Sequence, residues 1–146
     1  MQKGVLKTIK IFYEKNCPPQ IVQNAVCLVD CGLQGDRFAK GGEKQLTVID
    51  TQCENWLREQ EEKGLCFDRF KANLTVENID LSQLKSGDVL DFGGVLLQIS
   101  DEGKECFPEC TRVQNGCECL LRSHAKYLKV IKGGTIKAAD RITCRL

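Results

Sequence analysis

Short apolar runs separated by glycine-marked turns recur along the chain, and this rhythm predicts strands rather than long helices. Residues 5–12 place Val5, Leu6, Ile9 and Ile11 in a pattern that suits a strand. A second strand is expected over 20–30, where β-branched side chains are enriched. Gly32 and Gly35 then open a loop, Gly35-Asp36-Arg37-Phe38-Ala39-Lys40-Gly41-Gly42, before a third short strand over 45–49. Here the period changes. Thr51-Gln52-Cys53-Glu54 fits a capping box, with Thr51 satisfying the first backbone donors of a helix and Glu54 reaching back. That helix should carry Cys53, Trp56 and Leu57 inward and stop near Gly64.

Strand character returns at 72–76. Lys85-Ser86-Gly87-Asp88 reads as a turn, and Gly93-Gly94 between two apolar stretches, 89–92 and 95–99, predicts a hairpin. The C-terminal part repeats the theme, with 127–131, Gly133-Gly134 and then 136–142. Leu84-Lys85-Ser86-Gly87-Asp88 resembles Ile136-Lys137-Ala138-Ala139-Asp140, which we read as shared turn chemistry and not as an internal repeat. Many short strands with one well-signalled helix indicate a mainly β fold, a closed β-barrel with a few short helices. No linker or low-complexity stretch divides the chain, so 1–146 is expected to be a single domain.

A chain of 146 residues can bury a core without disulfide staples. Its net charge of +1, with Lys and Arg scattered, argues against a nucleic-acid binder. No apolar run approaches the ~20 residues needed to cross a bilayer, so no membrane association is expected. The first residues carry charge but no apolar core or cleavage site of a secretory signal, and a cytoplasmic protein is expected. The ten cysteines change the picture most. In a reducing compartment they read as buried apolar residues, metal ligands or reactive thiols. Cys27, within Ala25-Val26-Cys27-Leu28-Val29, and Cys144 in the last strand are expected to be packing residues.

Reactive side chains concentrate in Gly103-Lys104-Glu105-Cys106-Phe107-Pro108-Glu109-Cys110-Thr111-Arg112. Pro108 restricts Phe107 to extended backbone and suits the first position of a new helical turn. Cys110 would then lie near unpaired backbone donors, which lower a thiol's pKa and supply the thiolate that ligates metals and attacks sulfur. Two further core thiols is the competing reading. With Cys117 and Cys119 the segment also offers four thiols for zinc or an iron–sulfur cluster, although the spacing is unlike a typical structural zinc site. In the 35–42 loop, Arg37 and Lys40, with Lys44 beyond, could hold an anion such as phosphate; a solvated turn is the alternative. His124, the one histidine, reads as a surface or satisfied residue and is left out of the site.

Five segments occur in a fixed order. They are Gly32-Leu33-x-Gly35-Asp36-Arg37; Phe70-x-Ala72-Asn73-Leu74-Thr75-Val76-Glu77-Asn78-Ile79-Asp80-Leu81; Gly87-Asp88; Gly103-Lys104-Glu105-Cys106-x3-Cys110; and Val130-Ile131-Lys132-Gly133-Gly134-x-Ile136-Lys137. This series resembles the MOSC domain, related to the C-terminal part of molybdenum-cofactor sulfurases, in its short stand-alone form. The resemblance implies a β-barrel that binds the molybdenum cofactor (molybdopterin) or carries sulfur through a cysteine. It also brings an association with pyridoxal phosphate enzymes. In larger relatives that reduce N-hydroxylated compounds, a cysteine in a P-C-x-R-C run ligates molybdenum. Its second cysteine corresponds to Cys110, making Cys110 the implied ligand or carrier, with Cys106 the alternative. Arg37, Lys40, Arg69 and Asn73 are the implied grips on the pterin and its phosphate. The chain departs from the family pattern at Phe38, where many relatives have histidine, and at Ala139, where glycine is usual. Glu105 and Glu109 replace the proline and arginine of P-C-x-R-C.

Two functions follow as expectations. One is a molybdenum-dependent reductase of N-hydroxylated compounds; lacking a flavin or nicotinamide motif, it would take electrons from a partner protein. The other is a non-catalytic persulfide or cofactor carrier that delivers to a cofactor-biosynthesis partner. A thiol-rich zinc or iron–sulfur module stands as a third.

Overall fold

The computed structural model describes residues 2–14, 17–42, 45–59, 72–101 and 124–145. In chain order these form β1 (Lys3–Ile11), β2 (Gln20–Val22), β3 (Asn24–Leu28), β4 (Gly32–Leu33), β5 (Leu46–Asp50) and α1 (Thr51–Glu59). There follow β6 (Leu74–Glu77), a 3-10 turn (Leu81–Gln83), β7 (Val89–Asp91), β8 (Leu96–Asp101), β9 (Ala125–Lys132), β10 (Gly134–Lys137) and β11 (Arg141–Arg145). Strands β11, β7, β8, β9, β5, β6 and β1 lie side by side, and β1 pairs back onto β11 to close a seven-stranded barrel. β2 folds onto the end of β1, while β10, β3 and β4 make a small second sheet. Neighbours are antiparallel except β5 and β6, whose parallel pairing needs the crossover that α1 begins. Among the described residues, no helix is long and apolar enough to cross a membrane.

Alternation along the strands fills the barrel. Leu6, Leu46, Val48, Leu74, Val76, Leu90, Leu97, Leu128 and Ile142 are all buried, each fully buried leucine contributing about 1.5–3 kcal/mol. Cys27 and Cys144 belong to this core as expected. Burial pushes their thiols up to about 12 and about 11, in Cys144 with help from the Asp88 charge, so both stay protonated packing groups.

Three elements differ from the sequence reading. The apolar run 20–30 is not one strand: it breaks at Gln23, sending β2 to β1 and β3 to β10. Apolar composition signals strand character but neither partner nor burial: of this run only Ala25 and Cys27, both in β3, are buried, and Ile21 in β2 is exposed. No hairpin forms across Gly133-Gly134; the chain instead leaves the barrel there and joins β3. The approach is too close for a side chain, because a Cβ on Gly133 would sit 2.7 Å from the Cys27 carbonyl oxygen. The helix cap is also one residue earlier than the capping box predicts. Asp50 Oδ1 accepts the Cys53 N–H at 2.8 Å, while Glu54 accepts from Lys7 Nζ and Thr75 Oγ1 instead of reaching back.

The Gly93-Gly94 hairpin joins β7 and β8 as expected, with Asp91 Oδ1 accepting both glycine N–H groups. The two similar turns share their chemistry in detail. Asp88 Oδ2 accepts the Lys85 N–H and Asp140 Oδ2 the Lys137 N–H, at 2.8 and 2.7 Å. Gly87 then donates to Ile99 O as Ala139 donates to Leu6 O. The returning bonds run from Ile99 N to Asp88 O and from Leu6 N to Asp140 O.

Candidate functional site

The loop between β4 and β5 is pinned at both ends by buried polar side chains. Asp36, 6% exposed, accepts the Phe12 N–H at 2.9 Å, the Phe38 N–H at 3.2 Å and the Asn73 amide at 3.1 Å. Burial drives the Asp36 carboxyl above its usual range, and these three donors with the Arg37 charge only partly oppose it. At the other end Gln45 receives the Val130 N–H on Oε1 and donates to the Gly42 carbonyl. What the loop presents between these anchors is cationic. Arg37 is half-buried, its guanidinium 4.8 Å above the Phe38 ring, which packs edge-on against Phe12. Lys40 is exposed. Neither cation forms a salt bridge among the described residues.

Asn73 is placed beside this loop but faces inward. Its Nδ2 donates to Lys10 O and Asp36 Oδ1, and its Oδ1 accepts from the Thr47 N–H and hydroxyl. Contact with a bound group would require giving up one of these bonds. Cys106, Cys110 and Arg69 lie outside the described residues, as do Cys117, Cys119 and Lys44.

A second polar cluster stands at the far end of β5. The register Ile49↔Ala125, continued one step, sets Asp50 opposite His124. His124 Nδ1 and Asp50 Oδ2 are 2.7 Å apart, and Asp80 Oδ1 lies 3.5 Å from the same nitrogen. Asp50 is itself held by the N–H groups of Cys53 and Leu81. For Asp80, burial acts to raise the pKa, but the Ser82 hydroxyl, the Ser82 N–H and His124 outweigh it and hold the carboxyl below its usual range. The three side chains offer ligand atoms within 4.8 Å of one another, a set able to hold a metal ion. The 2.7 Å contact is shorter than the ~3.3 Å between ligands around a tetrahedral zinc with ~2.0 Å bonds, and is a hydrogen bond.

The model of one family, the MOSC domain, matches residues 35–143. The chain belongs to the MOSC domain family. The matched stretch starts at Gly35 of the pinned loop and also contains the Asp50–His124 pair, so both clusters are parts of the MOSC domain. Among curated proteins, none matches the chain. Solved structures match its fold. The YuaD protein from Bacillus subtilis is 17% identical, covers 96% of this chain and 94% of its own, and superposes with a TM-score of 0.70. YiiM from Geobacillus stearothermophilus is 14% identical over 97% of this chain and 75% of its own, with a TM-score of 0.64. YiiM from Escherichia coli is 17% identical over 97% and 70%, with a TM-score of 0.60.

Within this MOSC domain, sequence reasoning singled out Arg37 and Lys40 but passed over Asp36 and Gln45, which hold them, and His124. Asp36 was visible inside the Gly-Asp-Arg triplet. A short polar residue after a positive-φ glycine (Gly35, φ 85) is a signal for such a loop anchor. No local signal marks His124, because its partner Asp50 is 74 positions away.

Proposed function

We propose that this MOSC domain binds the molybdenum cofactor through the thiolate of Cys110, with Cys106 the alternative ligand, and reduces N-hydroxylated compounds. The observation that carries this reading is the pinned loop. Arg37 and Lys40 stand on a backbone fixed by two buried side chains and form no salt bridge among the described residues, an arrangement suited to a phosphate. Gly41 and Gly42 adopt φ 74 and 76, and the space where a Gly42 Cβ would lie is open, so an anion can approach the backbone there. Arg37 and Lys40 thus fit the anionic end of a pterin cofactor, joined by Arg69. Asn73 serves indirectly, by holding Asp36. A soft thiolate suits molybdenum. When bound, the cofactor supplies a redox-active metal able to pass two electrons to an N–O bond, the electrons coming from a partner protein.

The second reading is a persulfide or cofactor carrier using the same thiol, without turnover of its own. Purification from a host that makes the cofactor, with metal analysis and cyanide-labile sulfur assay, separates the readings. Stoichiometric molybdenum that falls severalfold in Cys110→Ser and in Arg37→Ala supports the first. Labile sulfur without molybdenum supports the carrier. Zinc or iron alone would replace both with a thiol-rich metal module.

A further inference from the structure

Tyr13 follows the buried Phe12 directly, yet it remains 47% exposed at the border of the pinned loop. Two observations tie it to that loop. The carbonyl of the peptide bond entering Tyr13, Phe12 O, accepts the Arg37 N–H at 2.8 Å, so Tyr13 and Arg37 flank one backbone hydrogen bond. Gly35 supplies the seat for the ring. A Cβ there would lie 2.9 Å from Tyr13 Cε1, 3.5 Å from Cδ1 and 3.9 Å from Cζ, too close at the nearest atom for any side chain. The glycine is thus required twice, by its φ of 85 and by the ring that rests on it. This contact takes one side of the ring and leaves much of the rest open to solvent.

The loop's other aromatic side chains are occupied with each other. Phe38 packs edge-on against Phe12 and lies beneath the Arg37 guanidinium. The remaining large apolar side chains exposed among the described residues, Ile21, Leu28, Val29 and Ile131, are aliphatic. Tyr13 is therefore the exposed ring, and it stands beside the cations. A ring already seated on backbone loses little freedom when a flat ligand stacks on it, and stacking accepts any heterocycle of suitable size. The neighbouring charges of Arg37 and Lys40 add a requirement for an anionic end.

We propose that Tyr13 is a stacking residue of the pinned loop, and that the loop takes a flat heteroaromatic anion in preference to an anion without a ring. The proposal rests on the cofactor-binding reading above and deepens it, by adding a ring contact beside the cations that would hold the anionic end.

The test uses the full chain prepared from a host that does not make the cofactor, with two probes followed by isothermal calorimetry at neutral pH. Pterin-6-carboxylate carries both a flat ring system and an anion; inorganic pyrophosphate carries charge alone. Tyr13→Leu should weaken pterin-6-carboxylate binding about tenfold and leave pyrophosphate binding unchanged. Tyr13→Phe, which keeps the ring, should bind both probes as the parent does. Arg37→Ala should weaken both. The unfolding midpoint of Tyr13→Leu should stay close to that of the parent, because the side chain is half exposed. Equal loss of both probes in Tyr13→Leu, an unchanged affinity for pterin-6-carboxylate, or a loss in Tyr13→Phe as large as in Tyr13→Leu overturns the stacking role. So does a parent protein that binds pyrophosphate but not pterin-6-carboxylate; each of these results leaves the anion-binding loop standing. A parent that binds neither probe, or an Arg37→Ala variant that binds both normally, overturns the loop reading and the stacking role with it.

Discussion

Ala139 adopts φ 77 in the same turn geometry where Gly87 adopts φ 97. A Cβ in the left-handed region costs about 1–2 kcal/mol, against about 0.5–1 kcal/mol for the extra unfolded-chain freedom of glycine. Ala139→Gly should therefore raise stability by up to about 1 kcal/mol, read as a higher urea midpoint with unchanged slope. A lower midpoint would show that the turn does not strain its alanine. At Asp50 the expected change is larger and opposite. Asp50→Ala uncaps α1 and strands buried donors of Cys53, Leu81 and His124, costing about 3 kcal/mol or more by denaturation. Asp80 sets a pH dependence. Its folded pKa is depressed, so its stabilisation is present above the unfolded value of about 3.9 and disappears as pH falls through the lower folded value. Asp80→Asn should remove that part of the acid sensitivity, so the difference in urea midpoint between parent and variant should shrink below pH 4.

Elements were legible where their signal is local and obscure where it is not. The strand over 5–12 could be read from its own run of apolar positions although its partners are distant, and the Gly93-Gly94 hairpin and the kinship of the two Lys-x-x-Asp turns because each rests on contacts a few residues apart. The split of 20–30 and the crossing at Gly133 could not, since both depend on β3 meeting β10 across more than a hundred residues. Steric limits at strand junctions were equally hidden. A Cβ on Gly4 would lie 2.2 Å from the backbone carbonyl oxygen of Glu77, which cannot move without disturbing the β1–β6 ladder. Gly4→Ala should accordingly destabilise by about 1–3 kcal/mol, as overpacking does, measured by thermal or urea unfolding. An unchanged midpoint would mean the ladder yields freely.

At the scale of the molecule, the barrel separates two kinds of chemistry along β5 and β6. The loop bearing Arg37 and Lys40 is tied to the beginning of these strands through Asn73 and Gln45, whereas Asp50 and His124 mark the end of β5. The family and barrel were readable from ordered motifs spread over the chain. The cation-bearing loop was readable from its glycines, but the anchors beneath it and the Asp50–His124 pair required the fold. The proposed ligation of molybdenum by Cys110 makes a demand that can be read directly at the metal. X-ray absorption at the molybdenum edge of the loaded protein should show a sulfur contribution from the chain that is lost in Cys110→Ser, or in Cys106→Ser if that thiol is the ligand. A molybdenum–sulfur shell identical in the parent and in the double serine variant would contradict the account.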